Sequence, residues 1–292
     1  MIFWIASYPK SGNTWIRSII SALVYSENGK FDFKKLKYIP QFPAKGYFKD
    51  LTNNYSDFNV LKKCWIPAQE KINLDNKIKF FKTHHLNCKV DNYSFTNDKN
   101  TKAKIYIVRD PRNLVNSISN HYSKTHDEAI KFITSPRFIG GSQKEGGINK
   151  NDIITLIGTW REHYNFWTQN KKNTLILKYE DLIEDTEKEL VKIIEFLKNY
   201  IKLNIDKVKI KNILETTSFT SLKKMEQLGL FTENAFNRRE NKKVNFFHLG
   251  KENKWENILK KEHQMKIEKL FEKEMRELKY IFLNDYLASF IS

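Results

Sequence analysis

The stretch Ser7-Tyr8-Pro9-Lys10-Ser11-Gly12-Asn13-Thr14-Trp15 constrains this chain most, because of what flanks it. Ile2-Phe3-Trp4-Ile5-Ala6 is a short apolar run rich in β-formers and predicts a buried strand. On the other side Ile16, Ile19, Ile20 and Leu23 recur at i, i+3, i+4 and i+7, one face of a helix. A strand, a small polar loop and a helix in that order aim the free N–H groups of a helix N-terminus beyond the strand's carboxyl end, where they attract anions. Gly12 lets the backbone approach closely, Ser11, Asn13 and Thr14 add donors, and Lys10 adds a full charge. A helix cap alone accounts for a Ser or Asn at such a place. Two residues ask for more: Lys10 has no apolar role, and Trp15 follows the donors at a point where a purine can stack. The order is not G-x-x-x-x-G-K-[ST], in which the lysine follows the last glycine.

The rest of the chain supplies the frame. Ile78–His84, Lys104–Val108 and Leu175–Tyr179 read as further strands, alternating with helical patterns. The Lys104–Val108 run is almost continuously apolar, as a central parallel strand is. Asp110-Pro111 after it supplies an N-cap and a first helical residue. Further helices are expected over Ile153–Asn170, Asp185–Leu197, Asp206–Thr216, Ser218–Leu228 and Glu262–Leu278. Phe31–Asn76 reads as loop with short helices, His126–Ile148 as a long mobile connection that acts as a flap, and Glu233–Lys243 as a loop. No repeat or linker divides the chain. The expectation is α/β: a single domain over residues 1–292 with a central parallel β-sheet flanked by helices, its ligands at the strand carboxyl ends.

Composition sets outer limits. With 40% hydrophobic and 14% aromatic residues the chain is too apolar to be disordered. No apolar run approaches the roughly 20 residues of a membrane span. The first residues lack a basic leader and a cleavage site, so a cytoplasmic protein is expected. Cys64 and Cys88 are the only cysteines and lack metal-ligand spacing, which fits reduced thiols. The net charge of +17 suits an anionic cofactor or an acidic partner. Lys, Asn and Ile crowd the whole sequence, however, so compositional drift explains most of the lysines, and no nucleic-acid partner is expected.

A nucleotide with a second phosphate needs a second anion site. Tyr106-Ile107-Val108-Arg109-Asp110-Pro111 offers one at a strand end, where Arg109 presents a fork of donors and Ser117 follows eight residues on. Here the chain resembles the sulfotransferases that use 3′-phosphoadenosine 5′-phosphosulfate (PAPS). Ser7–Trp15 resembles their P-loop-like 5′-phosphosulfate loop, and the Arg-x₇-Ser spacing matches their 3′-phosphate motif. Phe81-Lys82-Thr83-His84 is similar to the family's Lys-Thr-His, in which the histidine is the catalytic base. Leu177-Lys178-Tyr179 is similar to the strand whose tyrosine reaches the adenine, and Thr217-Ser218-Phe219 to the segment lining the adenosine. Phe246 to Lys251, with Trp255 five residues after Gly250, resembles the C-terminal Arg-Lys-Gly segment. The chain departs there, with His248-Leu249 in place of Arg-Lys, so that Lys251, Arg238, Arg239, Lys242 or Lys243 would have to replace those cations.

The resemblance implies an enzyme that transfers the sulfuryl group from PAPS to a hydroxyl or amine of a small-molecule or glycan acceptor, without a metal. Lys10 would neutralise the leaving phosphate, helped by Gly12 to Thr14. Lys82 would stabilise the sulfuryl oxygens, and His84 would take the acceptor's proton. Ser11, Trp15, Arg109, Ser117, Tyr179, Thr217, Phe219, Gly250 and Lys251 complete the expected cofactor site. Side chains alternate along a strand, so Lys82 and His84 should share one face while Thr83 and His85 take the other. Two other readings compete: a small-molecule or nucleotide kinase using the first loop, and a non-catalytic basic protein that binds nucleic acid or glycan. The acceptor and the oligomeric state stay open.

Overall fold

Ile2–Ser7 forms strand β1, buried along its whole length. It pairs in parallel with β2 (Lys79–Thr83) on one side and β3 (Thr101–Val108) on the other, and β3 pairs in parallel with β4 (Thr174–Lys178). The sheet order is therefore β2-β1-β3-β4. This is a computed structural model, and it describes residues 1–140, 153–233, 235–237 and 242–282. Alternation along β1 feeds two cores. Ile2, Trp4 and Ala6 pack on one face with Phe81 and Tyr106, and Phe3 and Ile5 pack on the other with Phe80 and Ile105.

Helices cover both faces. α1 (Asn13–Tyr25) buries Ile16, Ile19, Ile20 and Leu23 in the second core, as the spacing of these residues predicts. α2 (Phe58–Ile72) lies within the segment expected to be loop with short helices, and corrects that expectation. Its buried positions, Leu61, Trp65, Ala68 and Ile72, do follow a helical period, but Pro67 interrupts the run and the helix keeps it. α3 (Pro111–Tyr122) starts with Asp110 as N-cap, its carboxylate accepting from the Arg112 N–H. α4 (His126–Thr134) corrects the flap: Thr125 and Glu128 form a reciprocal capping box, and Ile130 and Ile133 are buried. Residues 141–148 of that flap lie outside the described residues.

α5 (Trp160–Thr168) is shorter than the helix expected over Ile153–Asn170. Thr155–Leu156 instead pairs antiparallel with Phe138–Ile139, and a Thr159/Glu162 capping box starts the helix. After β4 come α6 (Tyr179–Glu184), α7 (Thr186–Lys198), α8 (Lys207–Thr216) and α9 (Phe219–Gln227). Asp185, Asp206 and Ser218 cap the last three, each accepting a first-turn N–H. The expected Glu233–Lys243 loop holds an antiparallel pair, Ala235–Asn237 with Lys242–Val244. The short α10 (Trp255–Ile258) and α11 (Lys261–Glu277) follow. Among the described residues no helix is long and apolar enough to cross a membrane.

The register matters most for function. Ala6 lies beside Thr83, Ser7 beside Ile107, and Val108 beside Lys178. All four strands thus end level, and the loops at Tyr8, His84, Arg109 and Tyr179 leave from one edge of the sheet. The chain reverses direction of travel across β1, which is where parallel α/β sheets open a crevice.

Candidate active site

The loop after β1 turns on two left-handed residues, Lys10 (φ 69°) and Gly12 (φ 103°). Only glycine takes the second conformation without strain, and a Cβ there would stand 2.5 Å from the Tyr179 ring. Gly12 is the N-cap of α1 and supplies no side-chain cap, so nothing from a side chain closes the helix N-terminus. Asn13 Nδ2 ties the turn down by donating to the Ile5 carbonyl (3.0 Å) and to Ser7 Oγ (3.2 Å). Ser11 is fully buried behind the loop, and its hydroxyl has no protein partner. Lys10 Nζ lies 3.6 Å from the Phe246 ring centroid and 3.3 Å from His121 Nδ1. Burial, with the Arg109 charge beside it, lowers the Lys10 pKa to about 7. Burial and the Lys10 charge lower His121 to about 3, so its ring accepts from the lysine.

The residues expected to form the second anion site stand against the first loop. Arg109 Nη1 donates to the Lys10 carbonyl (3.0 Å), its guanidinium lies 4.1 Å over the Tyr179 ring, and its buried Nε–H has no partner. The turn beneath it is held by Glu180, whose carboxylate accepts from the Asp110 N–H (3.1 Å) and from the Tyr280 hydroxyl (2.9 Å). Ser117 faces the same cleft one helical stretch further along α3. Trp15 is 6% exposed, edge-on to Tyr179 at 5.8 Å, and its indole N–H donates to the Thr217 carbonyl (2.8 Å). Thr217 itself does not line the cleft, because its hydroxyl turns back to the Ile213 carbonyl (2.7 Å). Phe219 does line it, packed so tightly under Gly250 (φ 56°) that a Cβ there would sit 2.7 Å from the ring.

At the third strand end Lys82 and His84 both face the cleft, while Thr83 and His85 are fully buried. His85 belongs to the core: its ring stacks on Phe95 at 4.1 Å and its Nδ1 bonds the Leu86 carbonyl. His84 Nδ1 lies 2.8 Å from the Ser7 carbonyl, which can only accept. That contact assigns the proton to Nδ1 and leaves the lone pair on Nε2. Burial, then the Lys82 charge, lowers the His84 pKa to about 4, with the Ser7 bond opposing them. Lys82 Nζ is 3.0 Å from Glu233, which also takes Arg17 Nη1 in a fork at 2.9 and 3.0 Å. Burial pushes the Glu233 carboxyl up, but Lys82 and Arg17 outweigh it and bring it to about 2.

These groups share one cleft of about 1320 Å³, large enough for two small molecules side by side. Of the residues expected from the sequence, Lys10, Gly12, Asn13, Thr14, Trp15, Lys82, His84, Arg109, Ser117, Tyr179, Phe219 and Gly250 line it. Ser11, Thr217 and Lys251 do not, and Lys251 is exposed on the outer side of its turn. Of the cations proposed to replace the missing Arg-Lys pair, Arg238 and Arg239 lie outside the described residues. The sequence did not single out Arg17, Glu233, His121 or Phe246. Arg17 carried a signal, as a charge set among apolar positions on the buried face of α1. Glu233, 216 residues away from Arg17, carried none. Among the described residues no three His, Cys, Asp or Glu side chains are placed to hold a metal ion.

Residues 2–279 match the family model of the sulfotransferase domain. The chain is 24% identical to the amine sulfotransferase of Oryctolagus cuniculus over 294 residues, covering 97% of this chain and 84% of that one. It is 25% identical to sulfotransferase 2A1 of Homo sapiens over 279 residues, covering 94% and 84%. The mouse sulfotransferase SULT7A1 in complex with PAP, the desulfated 3′,5′-bisphosphate, superposes with a TM-score of 0.57 at 20% identity over 94% of this chain and 84% of that one. Retinol dehydratase in complex with retinol and PAP superposes at 0.60 with 18% identity, over 94% and 81%. At such identities the two structures speak for the fold. The match over residues 2–279 speaks for the family, and this chain belongs to the sulfotransferase domain family.

Proposed function

We propose that the protein transfers a sulfuryl group from PAPS to a hydroxyl or amine of a small-molecule or glycan acceptor. One observation supports this above the others: two anion sites and a neutral histidine with a free Nε2 open into a single cleft. The residues suit a nucleotide carrying phosphate at both ends. The uncapped N-terminus of α1 with Lys10 stands at one end, and Arg109, whose buried Nε–H has no protein partner, stands at the other. In this proposal Lys10, Gly12, Asn13 and Thr14 hold the 5′ end, Arg109, Ser117 and Gly250 the 3′-phosphate, and Trp15, Tyr179 and Phe219 the adenine. Thr217 acts on the site through the Trp15 indole.

When bound, the donor supplies a sulfuryl group attached to a phosphate that leaves with both bond electrons. Lys10 and the α1 N–H groups neutralise the charge gathering on that phosphate. His84 accepts the acceptor's proton at Nε2, as the acceptor oxygen takes over the sulfur. Lys82, its direction set by Glu233, would stabilise the sulfuryl oxygens. A cytoplasmic setting belongs to the same proposal and rests on the unpaired thiols of Cys64 and Cys88.

Thermal stabilisation by PAP, absent with AMP or ATP, and transfer of labelled sulfate from PAPS test the proposal together. Stabilisation by ATP with phosphoryl transfer would replace it with a kinase.

A further inference from the structure

The cleft also carries information about charge at its acceptor end, beyond the proposal above and resting on it. Among the described residues two carboxylates line the cleft, and both already make hydrogen bonds. Glu233 holds Arg17 and Lys82 at once. Glu128 spends its carboxylate on the Thr125 N–H at 2.8 Å as half of a capping box. Glu233 is thereby compensated by two cations, and Glu128 adds one exposed carboxylate against the seven Lys and Arg side chains of the described lining.

The cations are arranged differently. Arg17 is 2% exposed and also donates to the Leu36 and Ile39 carbonyls, which draws the Phe33–Tyr38 turn against the Lys82 side of the cleft. That turn brings Lys34 and Lys37 into the lining, both exposed. From the other side, just past the His121 that touches Lys10, Lys124 lines the cleft as well. None of these three lysines makes an ion pair among the described residues, although Lys37 Nζ lies 5.1 Å over the Tyr38 ring. The donor accounts for Lys10 and Arg109. It does not account for three lysines at the lip, and the described lining's seven Lys and Arg side chains against two Glu give it an excess of positive charge that focuses its field on whatever enters.

We infer that the acceptor end selects a hydroxyl compound bearing its own anionic group, a carboxylate, sulfate or phosphate, over a cationic amine. The transfer itself is unchanged. The hydroxyl oxygen bonds to sulfur, the bond from sulfur to the donor phosphate breaks with its electrons on that phosphate, and the hydroxyl proton goes to His84. The lysines act on capture and orientation of the acceptor.

The test compares three phenols of like size: 4-hydroxyphenylacetate, 4-methylphenol and tyramine, with PAPS as donor and PAP binding measured in parallel. The expected kcat/KM is highest for the anion, intermediate for the neutral phenol and lowest for the cation, with the two extremes separated on the order of tenfold or more. The preference, taken as a ratio to 4-methylphenol, should shrink toward one in 0.5 M NaCl and in a Lys34→Ala/Lys37→Ala/Lys124→Ala variant. Three substitutions lower the net charge only from +17 to +14, so a lost preference reports the lip and not the whole surface. Tyramine used as well as 4-hydroxyphenylacetate overturns the inference, as does an anion preference that survives the triple variant. Should turnover be too slow to measure, stabilisation of the PAP complex by each phenol decides in the same way, equal shifts for anion and cation being the refuting result. Loss of PAP binding in the native protein would instead overturn the parent proposal.

Discussion

The two perturbed groups at the reacting centre predict an unusual pH dependence. In the free protein Lys10 titrates near 7, because burial and Arg109 both disfavour its ammonium form. His84 titrates near 4, because burial and Lys82 disfavour its imidazolium form. In the proposed mechanism the productive state needs Lys10 charged and His84 neutral, so kcat/KM for the donor should plateau between those values. As pH falls through about 4, His84 gains a proton and loses its lone pair. As pH rises through about 7, Lys10 loses the charge that meets the donor phosphate, and each further unit should cost about tenfold. At pH 5 a histidine of ordinary pKa would be only about 3% neutral, whereas one titrating near 4 is about 90% neutral. The enzyme should therefore keep nearly full kcat/KM at pH 5 and stand about a hundredfold below that plateau at pH 9, roughly fiftyfold of it lost between pH 7 and 9.

Initial rates at constant ionic strength from pH 4.5 to 9.5 check this, with re-assay at pH 7 to show that no protein was lost. Lys10→Arg is the control: a guanidinium stays charged throughout, so the alkaline limb should vanish even if the plateau falls. A native profile that stays flat to pH 9 would refute the burial argument for Lys10. An alkaline limb that persists in Lys10→Arg would assign it to another group.

Three further outcomes follow from single contacts. His84→Ala should lower turnover by about 10²–10⁴ with PAP binding intact, whereas His85→Ala should keep turnover per folded molecule and lose about 2–4 kcal/mol of stability in a urea titration, because it empties a stacked core site. Gly12→Ala should cost about 1–3 kcal/mol of stability and weaken PAP, since its φ of 103° and the Tyr179 ring at 2.5 Å both resist a Cβ; PAP affinity unchanged by calorimetry would show that Tyr179 yields freely. Glu233→Ala strands Arg17 in a buried site with only two carbonyls, and should cost about 3 kcal/mol in denaturant; a loss under 0.5 kcal/mol would mean that solvent reaches the guanidinium.

Much of the site could be read from the sequence because it is built from local chemistry at strand ends. Gly12, the Asp110-Pro111 start of α3 and the alternation Lys82, Thr83, His84, His85 each state their geometry within a few residues. The parallel register then does the assembly, since strands that end level bring those loops together without any further instruction. Local signals also existed where the expectation failed. The Thr125-x-x-Glu128 pattern marks the start of α4, and Thr159-x-x-Glu162 marks that of α5. Reading through these caps merged a helix into a flap and carried another seven residues too far. α2 was hidden differently: Pro67 argues for a break, but burial of Trp65, Ala68 and Ile72 holds the helix through it.

What the sequence could not give is the set of partners that tune the reacting groups. Lys10 is recognisable as a phosphate ligand, yet its shifted pKa depends on burial beside Arg109 at the end of another strand, and its resting position depends on Phe246 and His121. Lys82 is recognisable too, but its direction comes from Glu233, on a segment 151 residues away, anchored by Arg17, which stands off the apolar stripe of α1. Local chemistry thus names the reacting groups, and long-range packing sets their charge states. A variant that keeps every residue proposed to touch donor or acceptor but replaces Phe246 or Glu233 should consequently shift the pH profile or the acceptor preference before it abolishes transfer.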